Sequence, residues 1–268
     1  MRYVRGLFLL CGLLVCASPC FGQIVNVHSL SEQKKQGLML LASGTADWRV
    51  GNVNFTLVEG SLIARLAYNR HMFLLSGQGG LGIKSDERFV ARAFSHVRYR
   101  YMFLKRLGAE TFGQLEYNEF WRMAARRLAG LGAVFRVRPL KQLSVMFGTA
   151  YMFEYNQYSD SFQYPGGGNE KIFHRWSNYI RLKFQLDKIL FFQHTTFFQP
   201  SFEDFADWRL LVDTSLSIKL KKWLAITISH VLSYNSIPPV GGATTVSPLD
   251  SSLLVGLTST FHLWKPKK

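Results

Sequence analysis

Arg88, Arg92, His96, Arg98 and Arg100 occupy even positions of one run, RFVARAFSHVRYRYMFL from Arg88 to Leu104. Its odd positions are Phe89, Ala91, Ala93, Ser95, Val97, Tyr99, Tyr101 and Phe103. A guanidinium carries a permanent charge and a planar fork of donors, so its chemistry is the capture of carboxylate or phosphate oxygens. The same spacing recurs farther on. Arg175, Arg181, Lys183, Arg209 and Lys219 fall on polar faces, as do Glu59, Glu110, Glu116, Glu154 and Asp213. Charges set in this way can line a pore and favour anions, or pair with each other and fill the space between strands. The sequence weighs these two outcomes equally.

Other chemistry finds less support. GQGGLG, Gly77 to Gly82, matches a dinucleotide-binding glycine pattern, but the residues after it, Lys84 to Glu87, lead into another strand. That chemistry needs a helix N-terminus at this point. FWRMAARRLAGL, Phe120 to Leu131, could form a basic surface helix, yet Gly130, Gly132 and the alternation that follows favour a loop and a strand. The seven histidines are scattered. His96 is expected to face inward, and His174, His194 and His230 fall on lipid or rim faces. None has metal-ligand spacing, so neither a metal nor a cofactor is expected. A lipid hydrolase would need a Ser–His pair with an orienting partner, and no serine stands out beside His174. Catalysis is therefore not expected.

The elements that position the charges are strands. Strict alternation over seventeen residues has period two, and the run is longer than the usual strand of about 5–6 residues. A membrane-crossing strand needs about 9–11 residues plus extensions. Alternation and turn residues delimit twelve strands: Gly37–Arg49, Asn52–Tyr68, His71–Ile83, Arg88–Leu104, Gly108–Phe120, Arg126–Val137, Leu143–Asn156, Phe173–Leu186, Leu190–Gln199, Trp208–Leu220, Leu224–Asn235 and Ser252–Trp264. Slipping the arginine strand by one residue would expose its cations to lipid, a cost of roughly 5–10 kcal/mol in all. Those cations should point inward.

Connections fall into two sets. Asn69-Arg70, Lys105-Arg106, Arg138 to Lys141, Asp187-Lys188 and Lys221-Lys222 are short and basic. The alternating set is mostly longer: Trp121 to Ala125, Gln157 to Ile172, Pro200 to Asp207 and Ser236 to Asp250. Outer-membrane barrels have short periplasmic turns and longer external loops. The six tryptophans fall at or near inferred strand ends, where indoles prefer the membrane interface.

Arg2 and Arg5 precede an apolar stretch, Leu7 to Ala17, and SPCFG-Q offers cleavage after Gly22, the layout of a secretory signal peptide. An uncleaved helical anchor is the alternative, although the stretch is short for the ~20 residues a span needs. Cys11, Cys16 and Cys20 all lie in this segment, so no disulfide or thiolate site is expected after cleavage. The formal net charge is +15. Export and the alternation of the charges argue against nucleic acid as the partner.

PSFEDFADWRLLVDTSLSIKL, Pro200 to Leu220, followed by SHVLSYNSIPP and SSLLVGLTSTF, resembles the salt-induced outer-membrane protein family typified by the YdiY-like domain of unknown function. YRYMFLKRLGAETFGQLEYNEF and LAGLGAVFRV are similar to its middle hairpins. The chain departs from it in the first hairpin, in Gly166 to Gly168, and in the tail HLWKPKK. The resemblance implies an outer-membrane β-barrel with no settled activity.

The expectation is an all-β protein: a single antiparallel transmembrane β-barrel of about twelve strands. Residues 1–22 form a signal peptide, 23–36 a polar lead, 37–264 the barrel and 265–268 a basic tail. Its partners would be outer-membrane lipids and lipopolysaccharide, the barrel-assembly machinery and small anionic solutes. Its role would be a narrow channel or an envelope-integrity protein. A lipid-modifying enzyme and a soluble periplasmic all-β binding protein are the alternatives.

Overall fold

The computed structural model describes residues 36–49, 55–84, 87–119, 122–159, 167–238, 240, 247–264 and 266. The signal segment, nearly all of the polar lead, most of the tail and the side chain of Arg88 lie outside the described residues. Twelve antiparallel strands follow one another around a closed barrel. They are β1 (Gly37–Arg49), β2 (Phe55–Tyr68), β3 (His71–Lys84), β4 (Glu87–Tyr101), β5 (Leu107–Asn118), β6 (Met123–Val137), β7 (Leu143–Tyr158), β8 (Glu170–Gln185), β9 (Leu190–Pro200), β10 (Trp208–Lys219), β11 (Leu224–Asn235) and β12 (Leu249–Trp264). β12 closes the cylinder on β1, with Leu40 opposite Phe261 and Gly44 opposite Leu257. Every strand has two partners, which removes the exposed edges that an open sheet would present.

Burial inverts the pattern of a water-soluble domain. Leu131 is 65 % exposed and Val97 53 %, whereas Arg175, Arg181, Glu154 and Asn156 are fully buried. Alternation accounts for this, because one face of each strand meets hydrocarbon and the other the lumen. GQGGLG lies inside β3, and Arg126 and Arg127 lie inside β6. The stretch from Met123 is thus a strand.

Several boundaries differ from the sequence reading. β4 stops at Tyr101, and Met102 to Arg106 turn the chain, with Leu104 N–H donating to Leu107 O at 3.0 Å. β7 and β8 reach Tyr158 and Glu170, beyond the expected ends, because Gln157 pairs with Glu170 across them. Polar residues there hide the ladder from an alternation argument, but pairing satisfies their backbone groups. β6 and β12 likewise begin early, at Met123 and Leu249. The longer β8 places Trp176 within the strand rather than at its end.

The lumen is less polar than alternation suggests. Met39, Ile63, Met72 and Leu74 form a buried cluster inside β1 to β3, packed against Phe94. Val134, Met146 and Tyr179 form another, packed against Met102 and Phe197. Side chains thus fill the middle of the cylinder and leave cavities toward both mouths.

Candidate functional site

Three ion-pair networks of described residues occupy the lumen. The first joins neighbouring strands. Arg100 of β4 stands opposite Glu110 of β5, and Arg98 shares the inward face two residues away. Arg100 Nη2 lies 2.7 Å from Glu110 Oε2, and Arg98 Nη1 lies 3.1 Å from Oε1. Tyr179 of β8 reaches across the lumen and donates its hydroxyl to Glu110 Oε2 at 3.2 Å. Arg98 also lies 5.0 Å from the centre of the Phe112 ring, a cation–π distance. One carboxylate therefore gathers two arginines and a tyrosine.

The second network centres on Glu154 of β7. Arg175 Nε reaches its Oε2 and Arg126 Nε its Oε1, each at 3.1 Å. Arg209, three strands away on β10, also pairs with it. Asn156 Nδ2 donates to Oε1 at 2.6 Å. Arg175 continues to Asp207 Oδ1 at 3.0 Å, and Arg126 to Glu116 Oε2 at 3.3 Å. The third network is Arg92 of β4 with Glu59 of β2. These strands flank β3, and Gly80 between them makes the pair possible. A Cβ there would lie 3.0 Å from Arg92 Nε and 3.1 Å from Glu59 Oε1. Glycine leaves the space the pair occupies.

Of the sequence candidates, Arg92 and Glu59, Arg98, Arg100 and Glu110, and Arg175, Arg209 and Glu154 come together. Glu116 meets Arg126. Asp213 is buried near enough to Arg181 to feel its charge. Lys183 is only half-buried, and exposed Lys219 ends β10 with its ammonium 4.0 Å from the Phe191 ring centre.

Arg126, Tyr179, Asp207 and Asp250 were not singled out from the sequence. Arg126 fell on an inferred strand end, and Asp207 and Asp250 in inferred loops. Tyr179 shares the inward parity of Arg175 and Arg181, so that signal was present.

Two cavities flank the first network. The one toward the long loops, about 180 Å³, holds Arg92, Arg98, Arg126 and Arg209 against Glu110, Glu116, Asp213 and Asp250. The one at the short-turn end, about 620 Å³, is lined by six arginines and Lys105, with no carboxylate among the described residues. Arg100 borders this second cavity, whereas Arg98, Glu110 and Tyr179 border the first. The network therefore borders both cavities.

Among the described residues, the exterior carries one Ser–His contact, His230 Nε2 to Ser251 Oγ at 3.0 Å, between β11 and β12. Across the sheet from His230 stand Thr214 and Leu253. Neither is a carboxylate or an amide that could orient the ring, as a hydrolase needs. His174 bonds the Tyr151 hydroxyl at 2.5 Å instead of a serine. Among the described residues no group of three His, Cys, Asp or Glu could hold a metal ion.

No curated protein matches the sequence. Among solved structures, the barrel is similar to the NanC porin, with a TM-score of 0.51 and 13% identity, covering 84% of this chain and 100% of that one. It is also similar to the KdgM porin, with a TM-score of 0.46 and 11% identity over 84% and 99% of the two chains. A third is the translocator domain of the autotransporter NalP from Neisseria meningitidis, with a TM-score of 0.47 and 11% identity over 88% and 92%. The likeness is one of fold, that of an outer-membrane β-barrel. Residues 47–261 match the model described as protein of unknown function, DUF481, and the chain belongs to that family.

Proposed function

We propose that the protein is a narrow channel for small anionic solutes, closed in this conformation by the Arg98–Arg100–Glu110–Tyr179 partition. The observation that carries this reading is a layer of ion-paired side chains that borders both cavities of the lumen. A layer of this kind opens by exchanging a few charge-assisted bonds, without moving the barrel wall. Glu110 is the one carboxylate of that layer, so the remaining charge in the path favours anions.

Planar bilayers with purified protein test this. The expected result is small, anion-selective conductance that rises in Glu110→Gln, or in Tyr179→Ala if the first variant inserts poorly. Absence of conductance in all three proteins, or cation preference in the reversal potentials, overturns it. The lipid-modifying enzyme is the competing reading, and His230–Ser251 is the place for it. Turnover of phospholipid or lipopolysaccharide by the wild type, lost in Ser251→Ala, would establish that reading.

A further inference from the structure

We infer that the cavity at the short-turn mouth is a binding site for a small, multiply charged oxyanion, of the phosphate or polycarboxylate class. This deepens the channel reading by naming a solute class, but binding here does not require conduction.

The floor of the cavity holds Arg65 and Arg100, which are only 4% and 3% exposed. They are close enough to repel one another. Glu110 answers Arg100 from the far side of the partition, where Arg98 also claims it. Around the mouth stand Arg70, Arg106, Arg136 and Arg138. Two of these are held in place by the β4–β5 turn. Arg70 Nη1 donates to Phe103 O at 3.1 Å, and Arg136 Nη2 to Lys105 O at 3.5 Å. The turn itself is stitched to both neighbours, through Met102 N–H to Arg70 O at 2.9 Å and Arg136 N–H to Arg106 O at 2.7 Å. The cations are thus presented by a braced rim rather than by free arms, which lowers the entropic cost of binding.

Charge balance distinguishes this cavity from the one above it. There, four arginines meet four carboxylates. Here, no Asp or Glu stands among the described lining residues. Gathering like charges at a concave, partly dehydrated surface is unfavourable, and a bound anion relieves that repulsion. The preponderance of arginine over lysine favours oxygens that can be gripped two at a time. A cavity of about 620 Å³ lies within the usual range for small-molecule sites and is too large for a single halide to fill. An ion with two or more charged groups can engage floor and rim together.

Isothermal titration of the full barrel in lipid-free, uncharged detergent tests this, with pyrophosphate, citrate and chloride as probes at fixed low ionic strength. Pyrophosphate or citrate should bind saturably at about one site per chain, at least tenfold tighter than chloride. That binding should weaken at least tenfold in Arg70→Gln/Arg138→Gln, whose changes lie in exposed turns, and should persist in Arg127→Gln on the outer wall. Heat-modifiable electrophoretic mobility reports that each barrel is folded. Absence of saturable binding, affinity equal to that for chloride, equal weakening by Arg127→Gln, or binding that appears only with anionic phospholipid overturns the inference. A barrel that binds pyrophosphate but never conducts refutes the channel alone; one that conducts anions without saturable binding refutes this site alone.

Discussion

Tyr179 faces Gly148 directly across the β7–β8 ladder, and its ring fills the space a side chain at 148 would need. A Cβ at that glycine would lie 2.1 Å from Tyr179 Cε1 and 2.3 Å from Cζ. The glycine therefore sets the reach of the tyrosine toward Glu110. Gly148→Ala forces the ring to move or the strands to part, and overpacking of this kind costs about 1–3 kcal/mol. Urea unfolding in lipid vesicles should show that loss, and Tyr179→Ala in the same chain should recover most of it. Additive losses in the double variant would mean that the two residues do not share this space.

Glu154 is a sharper test of the central network. It is fully buried and meets Arg126, Arg175 and Arg209, so Glu154→Gln leaves three guanidiniums around a neutral amide. Removing one member of a buried ion cluster costs about 3–5 kcal/mol. Glu116→Gln should cost less, about 1–3 kcal/mol, because Arg126 keeps Glu154 as its partner. Unfolding midpoints of the two variants compare them, and equal losses would show that Glu154 does not organise the network.

Much of this arrangement was legible in the sequence, for a reason that also marks its limit. A period of two assigns each side chain to a face, so Arg92, Arg98, Arg100, Arg175 and Arg181 could be placed inward before any contact was known. The bounds of β1 and β11 were recoverable because alternation and turn residues end together there. Parity does not say how far a side chain reaches, or which residue it meets on the other side of the barrel. Arg209 pairs with Glu154 across the lumen, a relation between β10 and β7 that no local spacing encodes. Nor does parity show that Met39, Ile63, Met72 and Leu74 fill the lumen with apolar volume. Asp207 became visible only once the loop after β9 had folded back on Arg175.

That same loop makes the structure sensitive to acid. Glu203, between β9 and β10, accepts the His174 backbone N–H at 3.1 Å and the Ser201 hydroxyl. Partial burial disfavours its charge, but these hydrogen bonds outweigh that effect and hold its carboxyl below the usual range. A carboxyl whose folded-state value is depressed contributes stability above its unfolded value, near 4.3, and loses it as pH falls through the folded value. The loop should therefore loosen below about pH 4, seen as faster cleavage between Ser201 and Asp207 by an acid-active protease. Glu203→Gln should remove that part of the pH dependence. An unchanged pH profile in the variant would assign the effect to another group.

The facing of the strands can be tested with two leucines of similar exposure at different depths. Leu131 is 65 % exposed at the middle of β6, and Leu140 is 57 % exposed in the turn before β7. Solvent accessibility alone treats them alike, but depth does not. An arginine at 131 would meet hydrocarbon near the bilayer midplane, where the penalty is about 2–4 kcal/mol. An arginine at 140 would sit among the cations of the short turns, with a penalty of about 0–1 kcal/mol. Leu131→Arg should lower the unfolding free energy in vesicles by the larger amount and slow insertion, while Leu140→Arg behaves as the parent does. Equal and small effects would mean that the outer wall of β6 does not contact lipid, and the apolar exterior would then need another partner.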